Sequence, residues 1–346
     1  MTRWQRILNQ AITSPADLPR HLQPDDPGAT EVSAHYPMRL NPYYLSLIKK
    51  KGDPLWLQAV PQGIELADQV CMADPLAEEN LSPVANLVHK YPDRVLLLVT
   101  SQCAMYCRFC TRKRKVGTPA MVISDATVQE GLAYIRSHPR IKDVLISGGD
   151  PLLLSDERLD RLLAGLRAIP SLQIIRMGSR VPCTLPMRVT KRLCAILKKY
   201  HPLYINTHFN HPDEVTPEAA RACNRLADAG IPLGCQTVLL KGVNDNAETM
   251  ASLMRSLLTV RVKPYYLFQG DLTRGTNHFR TTVECGQAIM RRLIGHISGM
   301  AVPTYAVDGP YGAGKVPLTP SYIQSLDREL CFTNYQGKTC FYDNNG

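Results

Sequence analysis

Three cysteines within eight residues, Cys103-x3-Cys107-x2-Cys110, are the densest group of metal-binding side chains in the chain. A structural zinc site wants four ligands, and a four-iron cluster is commonly held by four thiolates. A tight trio with no fourth cysteine nearby points to a [4Fe–4S] cluster with one iron left open to bind something reactive. A zinc site completed from afar by Cys71 or His208 is a second reading. Burial as small hydrophobes is a third; it suits single cysteines and fits three on one loop poorly.

A second constellation is Gly309-x4-Gly314-Lys315, which follows a strand pattern and matches most of a phosphate-binding loop. Val316 has no hydroxyl for Mg²⁺. Val316-Pro317, with Pro320 soon after, obstructs the helix whose N-terminus would receive the phosphates. A lysine on a glycine loop at the edge of a site can instead form the Schiff base that attaches pyridoxal phosphate (PLP), although alone it also reads as a surface lysine. Two aspartates, Asp271 and Asp308, end strand patterns, where an aspartate taken singly is a turn or capping residue. Ser147-Gly148-Gly149-Asp150-Pro151, read by itself, is a turn.

These residues need a scaffold that brings strand ends together. From Arg94 onward, β-rich runs at 95–99, 144–146, 174–176, 203–206, 235–240, 265–268 and 302–307 alternate with helical patterns such as 156–166, 190–199, 217–229, 247–259 and 283–297. Such alternation predicts parallel β-structure with helical crossovers, as a (βα) barrel or a doubly wound sheet. Function then belongs at the C-terminal ends of the strands, where the cysteine loop, the Gly-Gly-Asp turn and both aspartates fall. Residues 1–90 read as a helical, loop-rich lead-in.

Composition is that of a globular protein: 45% hydrophobic and 20% charged in 346 residues. The apolar runs are too short to span a bilayer, and the start has no secretory h-region, so a cytoplasmic location is expected. Eleven cysteines then argue for metal or catalytic use over disulfides. The formal charge of +10 is scattered except at Arg112-Lys113-Arg114-Lys115, in which Lys113 and Lys115 are read as solvated. A basic zinc-containing nucleic-acid binder is the non-enzymatic alternative; no nucleic-acid or membrane partner is expected.

The cysteine trio, with Phe109 before its last member, resembles the loop of the radical S-adenosylmethionine (SAM) superfamily, and Gly148-Gly149-Asp150 resembles that family's "GGE" motif with Asp for Glu. From about Asn41 to Tyr322 the chain closely resembles lysine 2,3-aminomutases. The shared stretches include Asn41-Pro42-Tyr43-Tyr44-Leu45, Tyr91-Pro92-Asp93-Arg94, Cys110-Thr111-Arg112, Gly178-Ser179-Arg180, Asn206-Thr207-His208-Phe209-Asn210-His211-Pro212, His278-Phe279-Arg280 and Gly314-Lys315.

The resemblance implies an α/β fold: a partial (βα)6-type radical SAM barrel over 91–308, the helical lead-in before it, and a short C-terminal segment, 309–346, carrying the PLP lysine loop. It implies Cys103, Cys107 and Cys110 on a [4Fe–4S] cluster, with SAM bound at the open iron and lined by Gly148, Gly149 and Asp150. Lys315 carries PLP, Tyr91 and Arg94 lie near its phosphate, and Ser179, Arg180 and His208 lie on the SAM side. Arg112 clamps the α-carboxylate of a small amino-acid substrate, while Asp271 and Asp308 grip an ε-ammonium. An imine nitrogen offers the π orbital that a saturated amine lacks, which makes migration from carbon 2 to carbon 3 feasible for a radical.

Lysine to β-lysine is the first expectation; arginine, whose guanidinium also pairs with two carboxylates, is the alternative. Glutamate is disfavoured because a buried like charge would repel it. A one-electron reductant of flavodoxin or ferredoxin type is expected as a partner, and a homo-oligomer, taken as a dimer, is the expected assembly. Departures are the short C-terminal segment and Asn246, which stands where longer relatives have a zinc ligand, so the zinc site is not carried over to Cys331 and Cys340. The short form resembles a branch that supplies β-lysine for modification of elongation factor P.

Overall fold

The computed structural model describes residues 1–345. Nine strands form one sheet in sequence order, β1 (Leu87–Tyr91), β2 (Arg94–Leu98), β3 (Asp143–Ser147), β4 (Ile174–Ser179), β5 (Leu203–Thr207), β6 (Leu233–Val238), β7 (Lys263–Phe268), β8 (Thr304–Gly309) and β9 (Gly314–Pro317). Strands β2 to β8 are parallel, and β1 and β9 add antiparallel edges. All seven runs expected from the sequence are these parallel strands.

Four short helices precede the sheet: α1 (Arg3–Asn9), α2 (Gly28–His35), α3 (Pro42–Leu45) and α4 (Pro54–Ala59). The crossovers carry α5 (Asp125–Ser137), α6 (Asp156–Arg167), the short α7 (Val181–Thr184) with α8 (Lys191–Lys198), α9 (Pro217–Asp228), α10 (Ala247–Thr259) and α11 (Val283–Leu293). This gives six βα units followed by one further parallel strand. Helix α6 shows why these segments are helical. Ser155 caps its N-terminus by accepting from the Arg158 N–H at 3.2 Å, acidic residues fill its first turn and Arg167 its last. Leu159, Leu162, Leu163 and Leu166 form one buried stripe, each contributing roughly 1.5–3 kcal/mol on burial.

Alternation along the strands divides the interior. In β3 and β4, Val144, Ile146, Ile175 and Met177 are fully buried against the helices, whereas Ser147, Arg176 and Gly178 face the inside of the curved sheet. Small and polar inward residues leave that interior hollow, with a cavity of about 890 Å³. The two sheet edges approach through side chains: the Lys315 N–H donates to Tyr91 Oη at 3.2 Å, and Lys90 Nζ lies 3.5 Å from Asp308.

The expected segment boundaries cut through hydrogen-bonded pairs, since β1 starts before residue 91 and β9 pairs with β8 across residue 309. Beyond β9 the C-terminal segment holds an antiparallel sheet of β10 (Ile323–Leu326), β11 (Glu329–Thr333) and β12 (Thr339–Asp343), which the sequence patterning did not announce. Cys331 is paired with Phe341 and Cys340 with Phe332, which puts the two cysteines on opposite faces of that sheet. Asn246 caps α10, accepting from the Thr249 N–H at 2.9 Å.

The turn after β3 has a backbone requirement. Gly148 has φ +132°, and a Cβ there would stand 2.2 Å from the Thr100 carbonyl oxygen; at Gly149 it would stand 2.3 Å from that of Gln102. The same turn donates from Gly149 N to Thr100 O at 2.5 Å and from Asp150 N to Gln102 O at 2.8 Å, fastening it to the lead-in of the cysteine loop. Gly148→Ala is expected to destabilise the fold by on the order of 3 kcal/mol through strain and overpacking. Urea unfolding measures it, and a midpoint equal to wild type would contradict this account.

Candidate active site

Two groups of side chains build the site, most of them at the C-terminal ends of the parallel strands; Arg94 opens β2 and, with Tyr91 opposite it, lies at the N-terminal end of the same cavity. The first lines the cavity and includes Tyr91, Arg94, Arg112, Asp271, Asp308 and Lys315. The β8–β9 register sets Asp308 directly opposite Lys315, so both side chains leave the same face of the hairpin. Lys315 Nζ lies 2.9 and 3.2 Å from the two Asp308 oxygens. The glycine loop is the turn of this hairpin, with Tyr311, Gly312 and Gly314 at positive φ. A strand follows where a phosphate loop needs a helix.

Asp271, after β7, is raised to about 7, first by burial and then by the neighbouring Asp308; Lys315 and Lys90 pull it down. Tyr91 is opposite Arg94 across the β1–β2 turn, and the Arg94 guanidinium sits 3.9 Å from the centre of its ring. Arg94 also pairs with Asp93 at 2.8 Å.

Arg112 is held by a residue that sequence reasoning missed. Glu78 takes its Nε and Nη2 edge with contacts of 2.9, 3.0 and 2.5 Å, leaving Nη1 without a hydrogen-bond partner among the described residues. Lys90 was missed in the same way. Glu78 lies in a segment without periodicity; Lys90 sits in β1 one residue before the quoted Tyr91 motif.

Lys113 and Lys115 are not the solvated side chains expected from the sequence. Lys113 is buried, donating to Glu65 at 2.6 Å and to the Arg108 and Gly275 carbonyls at 2.9 Å each, and burial lowers its amine to about 8. Arg114 pairs with Asp74 and Lys115 with Glu79. Four acids from the 65–79 stretch thus neutralise the run, and it offers no free phosphate-binding surface.

The second group surrounds the cysteine loop and does not line the cavity. Both Asp150 carboxylate oxygens are engaged: by Ser179 Oγ at 2.7 Å and the N–H groups of Leu152, Arg180 and Val181. Asp150 therefore shapes the turns after β3 and β4, and Ser179, which also accepts from the Val181 N–H, is spent on the same network. His208 bonds Asn210 at 3.0 Å, and burial holds it neutral with a value of about 3. Its ring centre is 5.4 Å from that of Phe109.

The three thiols share the loop after β2. Among the described residues no three His, Cys, Asp or Glu side chains converge as a ready-made ion site. Cys71 turns to Asn277 and His208 to Asn210, so neither completes a zinc site with the trio. Burial pushes Cys103 and Cys110 up, with their fellow thiols adding to it. Such thiols become ligands where the positive charge of iron compensates them, which suits a cluster bound by three. The cavity fits a polar ligand: among its lining residues, Asn206 Nδ2, Arg280 Nε and Thr273 Oγ1 have no partner. Stacked Tyr266 and Phe268 supply an aromatic wall beside Lys315, which suits a flat ring.

Comparison with known proteins adds the following. Residues 97–254 match the radical SAM superfamily, and residues 290–345 match the family described as lysine-2,3-aminomutase. The L-lysine 2,3-aminomutase of Fusobacterium nucleatum is 46% identical over 347 residues, covering 98% of this chain and 81% of the relative. That of Clostridium subterminale is 46% identical over 348 residues, covering 98% and 83%. The glutamate 2,3-aminomutase of Clostridioides difficile is 48% identical over 311 residues, covering 89% and 74%.

Proposed function

The chain belongs to the lysine 2,3-aminomutase family of the radical SAM superfamily, and from that premise we propose that it converts L-lysine to β-lysine, 3,6-diaminohexanoate. The observation that carries the substrate is electrostatic. Asp271 and Asp308 face one cavity, and Asp308 already accepts a primary alkylammonium, that of Lys315, at 2.9 Å. Once Lys315 is engaged by PLP, its ammonium is lost to the pair, and Lys90 alone opposes two carboxylates. A lysine ε-ammonium restores the balance; a glutamate side chain would worsen it.

The [4Fe–4S] cluster with SAM supplies a hydrogen-abstracting radical, and PLP supplies the unsaturated nitrogen across which an amino group can move. Cys103, Cys107 and Cys110 would hold the cluster, and the Gly148-Gly149 turn would border SAM. Lys315 would hold PLP between Tyr91, Arg94 and the aromatic wall. Arg112, its orientation set by Glu78, presents Nη1 to the substrate carboxylate. With both ends of the substrate fixed, carbon 3 has one position relative to the radical source, and that positioning is the main protein contribution. Val88, Leu96 and Phe109 line the same cavity and restrict water.

The reductant follows from the one-electron nature of the chemistry: a flavodoxin- or ferredoxin-type protein. Eleven free cysteines support a reducing, cytoplasmic setting, and no helix among the described residues is long and apolar enough to cross a membrane. Exposed Ile323, Leu326 and Phe341 on the C-terminal sheet support a homodimer, which light scattering at working concentration would read directly.

The test is anaerobic reconstitution with iron, sulfide and PLP, then SAM and dithionite, with lysine, arginine, ornithine and glutamate offered separately. Mass spectrometry should find the 3-amino isomer of lysine in excess over the others. Preference for arginine would move the substrate and keep the chemistry, whereas SAM cleavage without isomerisation of any of them would overturn the substrate class.

A further inference from the structure

We propose that Arg180 tunes electron uptake at the iron–sulfur centre through the sulfur of Cys107, with the buried carboxylate of Glu214 opposing it. This rests on the reading of the cysteine trio given above. The resemblance places Arg180 on the SAM side; the structure turns its side chain onto a cysteine. Nη1 donates to Cys107 Sγ at 2.8 Å, while Nη2 donates to Gln58 Oε1 at 2.6 Å and Glu214 Oε1 at 2.7 Å. The guanidinium also lies 5.1 Å from the centre of the Phe109 ring, within the same loop.

The arrangement is built, not incidental. Arg180 is 7% exposed and Glu214 fully buried. Glu214 accepts from Tyr44 Oη at 2.6 Å, from the N–H of Asn210 at 2.6 Å, from the N–H of His211 at 3.1 Å and from Gln58 Nε2 at 3.2 Å. These donors, with Arg180, satisfy the buried carboxylate without assistance from solvent. Tyr44 and Gln58 belong to α3 and α4, and the Gln58 carbonyl accepts from the Arg108 N–H at 2.9 Å. The N-terminal lead-in thus closes the back of the cysteine loop and excludes water from the contact, so solvent ions screen these charges weakly.

The sign of the effect follows from charge. Reduction takes the cluster from [4Fe–4S]²⁺ to [4Fe–4S]⁺ by one electron from the reductant, with no bond broken and no proton required. The reduced, more negative form gains more from an N–H donor and a positive charge at a ligand sulfur, so Arg180 favours reduction. Glu214 disfavours it.

Arg180→Gln is expected to make electron uptake about tenfold less favourable, a shift of about 59 mV to more negative potential for a one-electron couple. Glu214→Gln should move the midpoint in the positive direction. Arg180→Lys keeps the charge but cannot reach Cys107, Gln58 and Glu214 together, so a smaller negative shift is expected.

The experiment is a potentiometric titration of the reconstituted holoenzyme before SAM is added, read from the electron paramagnetic resonance signal of the reduced cluster, with iron per chain measured for every variant. Opposite shifts for the Arg180 and Glu214 variants support the proposal, because damage to packing has no reason to reverse sign between them. Shifts of the same sign, or an unchanged midpoint at full iron content, overturn it. If Arg180→Gln does not retain iron, Glu214→Gln and Arg180→Lys decide by the same criterion. A wild-type protein that holds no cluster would instead sink the reading of the trio.

Discussion

Lys315→Ala should abolish isomerisation while leaving the iron content and reductive cleavage of SAM close to wild type. The cofactor and its lysine act as a unit, so the loss in kcat is expected to be at least about a thousandfold. The fold should tolerate the change. Lys315 is 35% exposed on its side chain and makes one ion pair, with Asp308, a class of contact worth at most about 1 kcal/mol. Asp308 retains Lys90 at 3.5 Å. Borohydride treatment of the PLP-loaded wild type, followed by peptide mass spectrometry, should place a pyridoxyl group on Lys315, and the variant should show none. A variant that still isomerised lysine would remove Lys315 from the site, whereas one that lost its iron would indicate that the β8–β9 hairpin supports the cysteine loop.

The parts of the molecule legible in the sequence were those with local signatures. Seven parallel strands announced themselves by apolar runs between amphipathic helices; the cysteine trio stood out by type and spacing, and Lys315 only through the resemblance to lysine 2,3-aminomutases. The rejection of a phosphate loop rested on Val316 and Pro317, and the strand found there agrees with it. What stayed hidden depends on distant pairing. Glu78 lies in a stretch with no periodicity and acquires meaning only when folding lays it along Arg112. Lys113 looked like one more solvated lysine because its three partners, Glu65, the Arg108 carbonyl and the Gly275 carbonyl, come mostly from distant segments. Asp150 sits in a motif associated with SAM, yet its oxygens are filled by donors that the strand order alone brings near. The three C-terminal strands escaped notice because their residues are exposed or half-exposed and lack the buried alternation by which strands are read.

Asp271→Asn should cost lysine turnover and yet stabilise the ligand-free enzyme above neutral pH. The carboxyl is raised from an ordinary value of 3.8 to about 7 in the folded chain. Its surroundings explain this: burial and Asp308 from β8 raise it, Glu78 adds a smaller push, and Lys315 from β9 and Lys90 from β1 oppose them. Between the two values the folded state holds a proton that the unfolded chain has released. Folding stability therefore falls as pH rises from about 4 to 7 and levels off beyond, with Asp271 costing roughly 4 kcal/mol at pH 8.

Asparagine has no such titration, so the variant should lose that decline and unfold at higher urea than wild type at pH 8. Binding runs the other way. The ε-ammonium is held best when Asp271 is ionised, so wild-type kcat/KM for lysine should rise through a limb near pH 7. The limb should lie at or above that value in the holoenzyme, where Lys315 no longer lends its charge. In the variant this limb should vanish and kcat/KM should fall by about 10²–10³, the cost of removing one partner from a buried charge pair. A variant less stable than wild type at pH 8 would mean that Asp271 is already paired in the resting enzyme, and a retained limb near pH 7 would assign the titration to another group.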